Sequence, residues 1–471
     1  MYEKLIDGSP LKLSFTNKMM TAYGGFSLLS RLFERLNLQS EVEAMLPFTE
    51  ISPNSTGVYS KILKLGLTVA AGGYRYTHAA FLGDSTEIYE QSFGVKKIPK
   101  SITAVTRFFN RFKTWQSTEF FADRLWKFLF ERVIPLATLG EEVLSFDSTV
   151  VTRYGSQEGT KKGYNPKKRG RKSHHPILAF LNRSRYVVNL WNRSGDTSSG
   201  NGIVEFCKQT LERLSGRVKI RMILADSGYY QSGFFDYIEA NNTDFIVAAP
   251  MSRTLQTEIY KLDNWKDLGD GVSVAEFNFK HQKESWKKER RYIAIRKDVS
   301  KLGPDTIGKK LSLFPEEDAK IFNFKYGLYI TSSNHPGEDL WREYRLRAND
   351  ENIIKENKED FALEGFSLDG FYATEAAMLV RIMFYNILNL FRREMLPQPE
   401  STQRMQTLRA KYFITPALLG RDGKSPVLRL GIRKQNVRQK FIYILNRIST
   451  YFNNCNAFDR ANAPPISPSP Q

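Results

Sequence analysis

The sequence predicts an α/β protein in which a mixed β-sheet core is flanked by helical regions. Apolar residues recur at helical spacing through residues 1–140, for example in YSKILKLGLTVAAGG. From residue 141 the patterns follow the order β-β-β-α-β-α-β, which is typical of an α/β domain with a mixed sheet. Within residues 252–343, the segments VSVAEFNFK and RYIAIRKDV alternate with period two around a charged connection, which predicts a β-rich insertion.

The composition indicates a globular protein with an anionic partner. The 471 residues include 69 Lys and Arg against 50 Asp and Glu, a formal net charge of +19. This excess favours a nucleic acid or an anionic membrane surface as partner. Hydrophobic residues make up 41% of the chain, which argues against disorder. No apolar run approaches the roughly 20 residues that span a bilayer, and the N-terminus lacks the pattern of a secretion signal.

The cysteine and histidine content restricts the kinds of metal site that the chain can build. There are two cysteines, Cys207 and Cys455, without a C-x-x-C motif, and the five histidines are scattered. A zinc finger, an iron–sulfur site and a disulfide framework are therefore excluded. We expect any bound metal to be held by carboxylates.

In the helical region, the apolar pattern predicts a short helix over residues 102–115, in which Arg107, Arg111 and Lys113 lie beside a Phe stripe. One interpretation is the recognition helix of a helix-turn-helix module. The other is an ordinary amphipathic helix with a solvated basic face.

Two acidic residues end strands of the predicted sheet. Asp147 lies in LSFDST within the first strand, and Asp226 ends the fourth strand in ILADSGYY. Each could simply cap the turn or helix that follows it. As a pair on neighbouring strands they are candidates for a shared divalent cation, because Mg²⁺ binds carboxylate oxygens without His or Cys.

A basic stretch follows the first acid. Residues 151–185 contain ten Lys or Arg and a single acid, Glu158. Gly163, Pro166 and Gly170 interrupt any helix, so we expect a loop that presents cations to phosphates; the alternative is a solubility loop. We expect His174 and His175 to stack or hydrogen bond rather than bind metal. The candidate DNA-binding residues in this stretch are Lys161, Lys162, Lys167, Lys168, Arg169, Arg171 and Lys172.

A third block lies after the β-rich segment. Tyr344, Arg347, Glu351 and Lys358 are spaced so that a continuous helix would place all four within an arc of roughly 60°. A solvated face with Arg–Glu pairing is the simpler interpretation.

Further along, the apolar segment EAAMLVRIMFYNILNLFRREM predicts a helix that ends before Pro397. Residues 392–447 hold 13 basic and three acidic residues, which favours a second nucleic-acid surface or a basic helix pair.

These blocks together resemble the DDE transposases of bacterial insertion sequences. The third block of one transposase superfamily reads Y-x2-R-x3-E-x6-K, and the four residues fit it at every spacing. The segments GYNPKKRGRKSHHPILAF, YGGFSLLSRLFERLNL and AAGGYRYTH look like the insertion-sequence group numbered 1380. The resemblance covers nearly the whole chain and is weakest in the β-rich segment and the last 70 residues.

The resemblance implies a ribonuclease-H-like core that an insertion domain interrupts. The implied domains are a helical DNA-binding domain (1–140), the first part of the core (141–251), the β-rich insertion (252–343), the second part of the core (344–395) and a mostly helical, basic C-terminal region with a disordered tail (396–471). Asp147, Asp226 and Glu351 would be the catalytic triad and would bind two Mg²⁺ ions, for which Mn²⁺ can substitute.

The implied activity is cleavage of transposon ends and joining of the freed 3′-OH to target DNA, with or without a hairpin intermediate. The partner would be double-stranded DNA, bound by a dimer in the synaptic complex. Tyr344, Arg347 and Lys358 would contact the DNA, and Trp265, Trp286 and Trp341 are candidates for stacking on a flipped base. Two alternatives stay open: a nuclease of the same fold without strand transfer, and a non-enzymatic DNA-binding protein.

Overall fold

The computed structural model describes residues 15–50, 52, 54–83, 86–298 and 324–461, with side chains up to residue 453. The predicted disordered tail at residues 462–471 lies outside them. The chain divides into two compact units, one formed by the described parts of 1–133 and 356–471 and the other by 134–355. No helix in the described part of the chain is long and apolar enough to cross a membrane.

Most strands of the described residues lie between residues 141 and 331, and helices predominate on either side. The helices are α1 (Phe26–Arg35), α2 (Leu38–Met45), α3 (Val58–Ala70), α4 (Thr86–Phe93), α5 (Thr103–Phe109), α6 (Trp115–Phe128), α7 (Ile203–Leu214), α8 (Ser232–Ala240), α9 (Arg253–Tyr260), α10 (Gly337–Tyr344), α11 (Ala348–Glu359), α12 (Phe371–Leu390), α13 (Met405–Leu408) and α14 (Gln435–Ala461). The strands are β1 (Met20–Thr21), β2 (Glu141–Ser148), β3 (Val151–Thr152), β4 (Lys161–Lys162), β5 (Lys172–His174), β6 (Ile177–Leu181), β7 (Tyr186–Trp191), β8 (Lys219–Ala225), β9 (Asp244–Ala248), β10 (Lys266–Gly269), β11 (Val272–Phe279), β12 (Arg290–Asp298), β13 (Phe324–Thr331), β14 (Ala417–Asp422) and β15 (Ser425–Leu430).

A large mixed sheet forms the centre of the 134–355 unit. Among the described residues its nine strands follow the order β10-β11-β12-β13-β9-β8-β2-β6-β7. Strand β2 is parallel to β8, and β8 is parallel to β9. The flanking pairs β2–β6 and β6–β7 are antiparallel. The predicted α/β class with a mixed sheet is therefore confirmed.

The β-rich segment continues this sheet rather than forming a separate one. Strand β13 pairs with β9, and β12, β11 and β10 follow as antiparallel neighbours. One hydrophobic cluster joins the two parts: Val143, Met222, Leu224, Ile246, Val272, Val274, Ile293, Ile295 and Leu340. Period-two alternation across β11 and β12 places these apolar side chains on one face, as the sequence pattern predicts.

Helix α12 is the buried centre of the other unit. Its sequence is apolar on all sides, and nearly every residue from Ala373 to Leu390 is buried. Gly66 of α3 lies against the ring of Phe384, and a Cβ on Gly66 would stand 2.1 Å from Phe384 Cζ. The absence of a side chain at residue 66 thus lets α3 and α12 approach each other closely.

The basic C-terminal region is partly internal, so some of the residues assigned to a second nucleic-acid surface are not available to a partner. Arg392 is 2% exposed, and its Nη1 donates to Glu356 Oε1 at 2.8 Å. Tyr412 and Phe413 are also buried. Burying a cation requires a buried anionic partner, so the Arg392–Glu356 pair belongs to the core of this unit. The predicted strand at PVLRLGI is confirmed as β15.

The predicted helix over residues 102–115 is shorter than expected. Helix α5 ends at Phe109, and a turn precedes α6. Thr114 starts the new helix, because its Oγ1 accepts a hydrogen bond from Ser117 N at 3.3 Å. Capping therefore divides a segment that the apolar pattern presents as one helix.

We predict that Gly66→Ala destabilises the protein by about 1–3 kcal/mol, because the new methyl group overlaps the buried Phe384 ring. Helix propensity alone would predict stabilisation of about 1 kcal/mol. Gly233→Ala in α8 is the matched control, since a Cβ there meets nothing within 4 Å. Denaturant unfolding followed by circular dichroism measures both variants. Equal or greater stability for Gly66→Ala would contradict the close packing of α3 on α12.

Candidate active site

Two carboxylates meet at the ends of adjacent parallel strands. The register pairs Phe146 of β2 with Ala225 of β8, so Asp147 and Asp226 are the next residues on neighbouring strands. Asp147 Oδ1 accepts a hydrogen bond from Ser148 N at 2.8 Å, and Asp226 Oδ1 accepts one from Gly228 N at 2.8 Å. The capping interpretation is thus confirmed for one oxygen of each acid. The other oxygen of each acid faces Arg347.

A single guanidinium group contacts these second oxygens. Arg347 Nη2 lies 3.0 Å from Asp147 Oδ2 and 3.7 Å from Asp226 Oδ2. The side chains of Asp147 and Arg347 are 12% and 14% exposed, whereas that of Asp226 is 37% exposed. The two acids therefore face one cation at the solvent edge of the sheet.

The electrostatic environment shifts the pKa of Asp147 upwards. Burial raises the pKa to about 6, the guanidinium of Arg347 opposes this shift, and the charges of Asp226 and Glu351 add to it. Burial alone would lower the pKa of Arg347, but the charge of Asp147 and its neighbours raises it on balance. The site thus holds more negative charge than its single arginine neutralises when all three acids are ionised.

The third block is not one continuous α-helix, which corrects the assumption behind the single helical face. Tyr344 ends α10, Arg347 lies in the 3₁₀ turn Arg345–Arg347, and Glu351 lies in the first turn of α11. The tighter winding of the 3₁₀ turn changes the angular spacing between Tyr344 and the residues that follow. The Tyr344 hydroxyl donates to Ala225 O at 3.2 Å, beside Asp226. Lys358, near the end of α11, pairs with Glu364 at 2.5 Å.

The donors at this site suit a hard divalent cation. Carboxylate oxygens of Asp147 and Asp226 converge on one positive group, and oxygen is the ligand that Mg²⁺ prefers. Glu351 is exposed, although its charge acts on Asp147. No group of three or more His, Cys, Asp or Glu side chains in the described ranges stands ready to hold a metal. The structure therefore brings two of the three predicted ligands together and leaves Glu351 nearby.

Two residues that the sequence interpretation missed fix the turn that carries Arg347. Asn182, directly after β6, donates through Nδ2 to Leu346 O at 2.9 Å and to Asp350 Oδ1 at 2.8 Å. Both Asn182 and Asp350 are fully buried. Burial raises the pKa of Asp350 to about 8, with a further contribution from the charge of Asp147. The sequence does show two neighbouring acids, Asp350 and Glu351, but it does not reveal which of the two side chains faces the interior.

The basic stretch forms a small sheet rather than a plain loop. Strands β3, β5 and β4 pair antiparallel, and Lys162 stands opposite Lys172. All seven candidate cations are exposed. Lys161 pairs with Asp196 at 3.0 Å, and Lys168 donates to the Tyr154 hydroxyl. Short strands were not predicted, because glycine and proline dominate the local pattern.

A buried polar network connects this small sheet to Asp147. His175 hydrogen bonds through Nδ1 to Thr197 O at 2.7 Å and through Nε2 to Ser148 Oγ at 3.1 Å. His174 Nε2 lies 2.8 Å from Glu158 O, and burial lowers the pKa of His174 to about 4. The prediction that both histidines hydrogen bond is confirmed.

The remaining candidates differ in accessibility. Arg107 is exposed on α5, whereas Arg111 lies over the Phe48 ring at 4.4 Å and donates to Thr49 O at 3.2 Å. Trp286 is 7% exposed within an aromatic cluster, so it is not free to stack on a base in this state. Trp265 and Trp341 are half-buried, with Arg296 and Arg345 against their rings.

Comparison with known proteins identifies one family. The family described as Transposase DDE domain group 1 matches residues 3–451. No curated protein matches the chain. Among solved structures, the chain is similar to the piggyBac transposase synaptic complex with hairpin DNA (10% identity, TM-score 0.43, covering 94% of this chain and 87% of that chain). It is also similar to the Drosophila P element transposase strand transfer complex (10% identity, TM-score 0.24, covering 90% and 87%). Both TM-scores are too low for the likeness to carry an argument about this chain.

We predict that Asp350 makes stability fall as pH rises. The folded-state pKa of about 8 exceeds the ordinary value of 3.8, so this contribution is complete below the ordinary value and is lost as pH rises through about 8. Asp350→Asn removes the titration and keeps an acceptor for Asn182. The unfolding free energy of the wild type relative to this variant should therefore decrease between about pH 5 and about pH 8.

Denaturant unfolding at a series of pH values measures this difference, and the exposed Asp270→Asn is the control. A difference between wild type and Asp350→Asn that stays constant with pH would contradict a buried, protonated Asp350.

Proposed function

The chain belongs to the family of DDE transposases, and on this premise we propose that it cleaves transposon ends and joins them to target DNA. The proposed reactions are metal-dependent hydrolysis of a phosphodiester at each terminal inverted repeat and transfer of the freed 3′-OH to the target. The observation that carries the proposal is the convergence of Asp147 and Asp226 on one cation at the ends of adjacent parallel strands.

The strand order supports a ribonuclease-H-like core. Strands β7, β6, β2, β8 and β9 are neighbours in that order, with antiparallel pairs on one side of β2 and parallel pairs on the other. We place the second part of this core at residues 344–395, after the β-rich insertion. The helical 1–140 region is proposed to bind DNA, and the insertion-sequence group numbered 1380 remains the proposed subgroup.

Asp147, Asp226 and Glu351 are the proposed ligands of two divalent ions. Bound there, Mg²⁺ or Mn²⁺ would supply Lewis acidity that lowers the pKa of the attacking water and neutralises charge developing on the phosphate. The chain itself orients the ligands: Ser148 N and Gly228 N fix one oxygen of Asp147 and Asp226. Tyr344 holds the end of β8 through its hydrogen bond to Ala225 O.

The cations around the site are proposed to hold the DNA backbone. Arg347 and Lys358 would bind phosphates near the cleaved bond, and the exposed cations of β4, β5 and their connection would bind flanking duplex. Joining two ends to one target needs two active sites in one complex, so we propose a dimer on synapsed ends.

We predict that Asp226→Asn reduces cleavage of end DNA by about 10²-fold or more, because charge stabilisation worth several kcal/mol is lost. Asp270→Asn, on an exposed turn of the same sheet, should leave cleavage unchanged. The assay uses duplexes with the inverted repeats that flank the coding sequence, in Mn²⁺ or Mg²⁺. Full cleavage by Asp226→Asn would argue against the proposed ligands.

The same assay on pre-cut ends separates the nuclease alternative from a transposase. Wild-type protein should join a free 3′-OH end to a second duplex. Cleavage of uncut ends without any joining of pre-cut ends would favour a nuclease of the same fold.

We predict that the basic small sheet contributes phosphate contacts. Lys167→Ala, Arg169→Ala and Arg171→Ala together should weaken binding to all duplexes and reduce the slope of log affinity against log salt by about 2–3, since each lost contact removes about 0.9. A matched triple variant, Lys280→Ala, Lys283→Ala and Lys287→Ala, removes exposed lysines elsewhere in the same unit. Equal slope changes in both variants would indicate a general charge effect.

A further inference from the structure

Arg347 uses the same carboxylate oxygens that a bound metal would need. Asp147 Oδ1 and Asp226 Oδ1 each accept a backbone N–H, and the two Oδ2 atoms both face Arg347 Nη2. An internal cation and an external divalent ion would therefore compete for one position. The competition is electrostatic, since two cations held against the same pair of oxygens repel each other.

One donor of the Arg347 guanidinium group is not used. Its Nε is buried without a hydrogen-bond partner among the residues that the structure describes. A guanidinium group offers five donors and binds phosphate through two parallel hydrogen bonds. A DNA phosphate could thus satisfy Arg347 better than the two aspartates do in this state.

The backbone that carries Arg347 is anchored, so a change at this position can be confined to the side chain. Arg347 lies in the 3₁₀ turn between α10 and α11. Asn182 holds this turn through Leu346 O, and Asp350 anchors the next helix. A rotation of the Arg347 side chain away from the acids would leave both anchors in place.

We propose that Arg347 holds the cation position between Asp147 and Asp226 in the DNA-free protein and leaves it for a DNA phosphate when an end binds. The proposal rests on the proposed function, because it assumes that the two acids bind divalent ions. DNA binding then increases metal affinity, and linkage requires metal to increase DNA affinity by the same factor. The DNA-free protein would therefore hold metal weakly.

The test measures Mn²⁺ binding to the full-length protein by calorimetry, without DNA and with an uncut end duplex after subtraction of binding to the duplex alone. Without DNA, Arg347→Gln should bind Mn²⁺ about tenfold tighter than the wild type. Arg345→Gln, which removes an exposed arginine from the same turn, should match the wild type. Adding DNA should tighten Mn²⁺ binding by the wild type about tenfold and by Arg347→Gln much less.

Two further variants keep the outcomes distinguishable. Asp147→Asn should abolish Mn²⁺ binding; if binding persists, or if the wild type never binds Mn²⁺, the proposed metal site itself is wrong. Binding that depends on Asp147 but is no tighter in Arg347→Gln overturns only the role of Arg347.

If Arg347→Gln does not fold without metal, Mn²⁺ should restore its thermal unfolding transition more than it shifts that of Arg347→Lys. An equal effect on both variants would overturn the proposal.

Discussion

The contact between two carboxylates and one arginine at the edge of a parallel strand pair is the constraint on which the site depends. Like charges on adjacent strand ends repel, so a cation between the two acids stabilises their ionised forms. Arg347 supplies that cation. The parallel register of β2 and β8 places the acids together, and the hydrogen bonds of Asn182 place the arginine against them.

The rest of the 134–355 unit supports this geometry. The sheet extends on both sides of β2 and β8, and the hydrophobic cluster that includes Val143, Met222 and Ile293 joins its two halves. A rigid sheet is suited to a site that must hold charged groups in a fixed arrangement. The buried polar network of His175 and Ser148 then connects the basic small sheet to the strand that carries Asp147.

Much of this arrangement was predictable from the sequence, because its signals are local. Period-two patterns predicted the strands, and the acids at strand ends predicted Asp147 and Asp226 as site residues. Long-range effects were not predictable in the same way. The inward orientation of Asp350 depends on Asn182, 168 positions away, and the 3₁₀ turn at Arg345–Arg347 depends on packing rather than on composition. Likewise, the basic sequence around Arg392 predicts a surface cation, because the sequence does not show that Glu356 pairs with it in the interior.

The proposed metal site is tested most directly by the position of Mn²⁺ in the protein bound to an end duplex, located from its anomalous X-ray scattering. We expect a signal bonded to oxygens of both Asp147 and Asp226 at roughly 2.0–2.2 Å, with Glu351 as a further ligand and Arg347 displaced onto a phosphate. A signal at other residues, or none while Arg347 still contacts both acids, would contradict it.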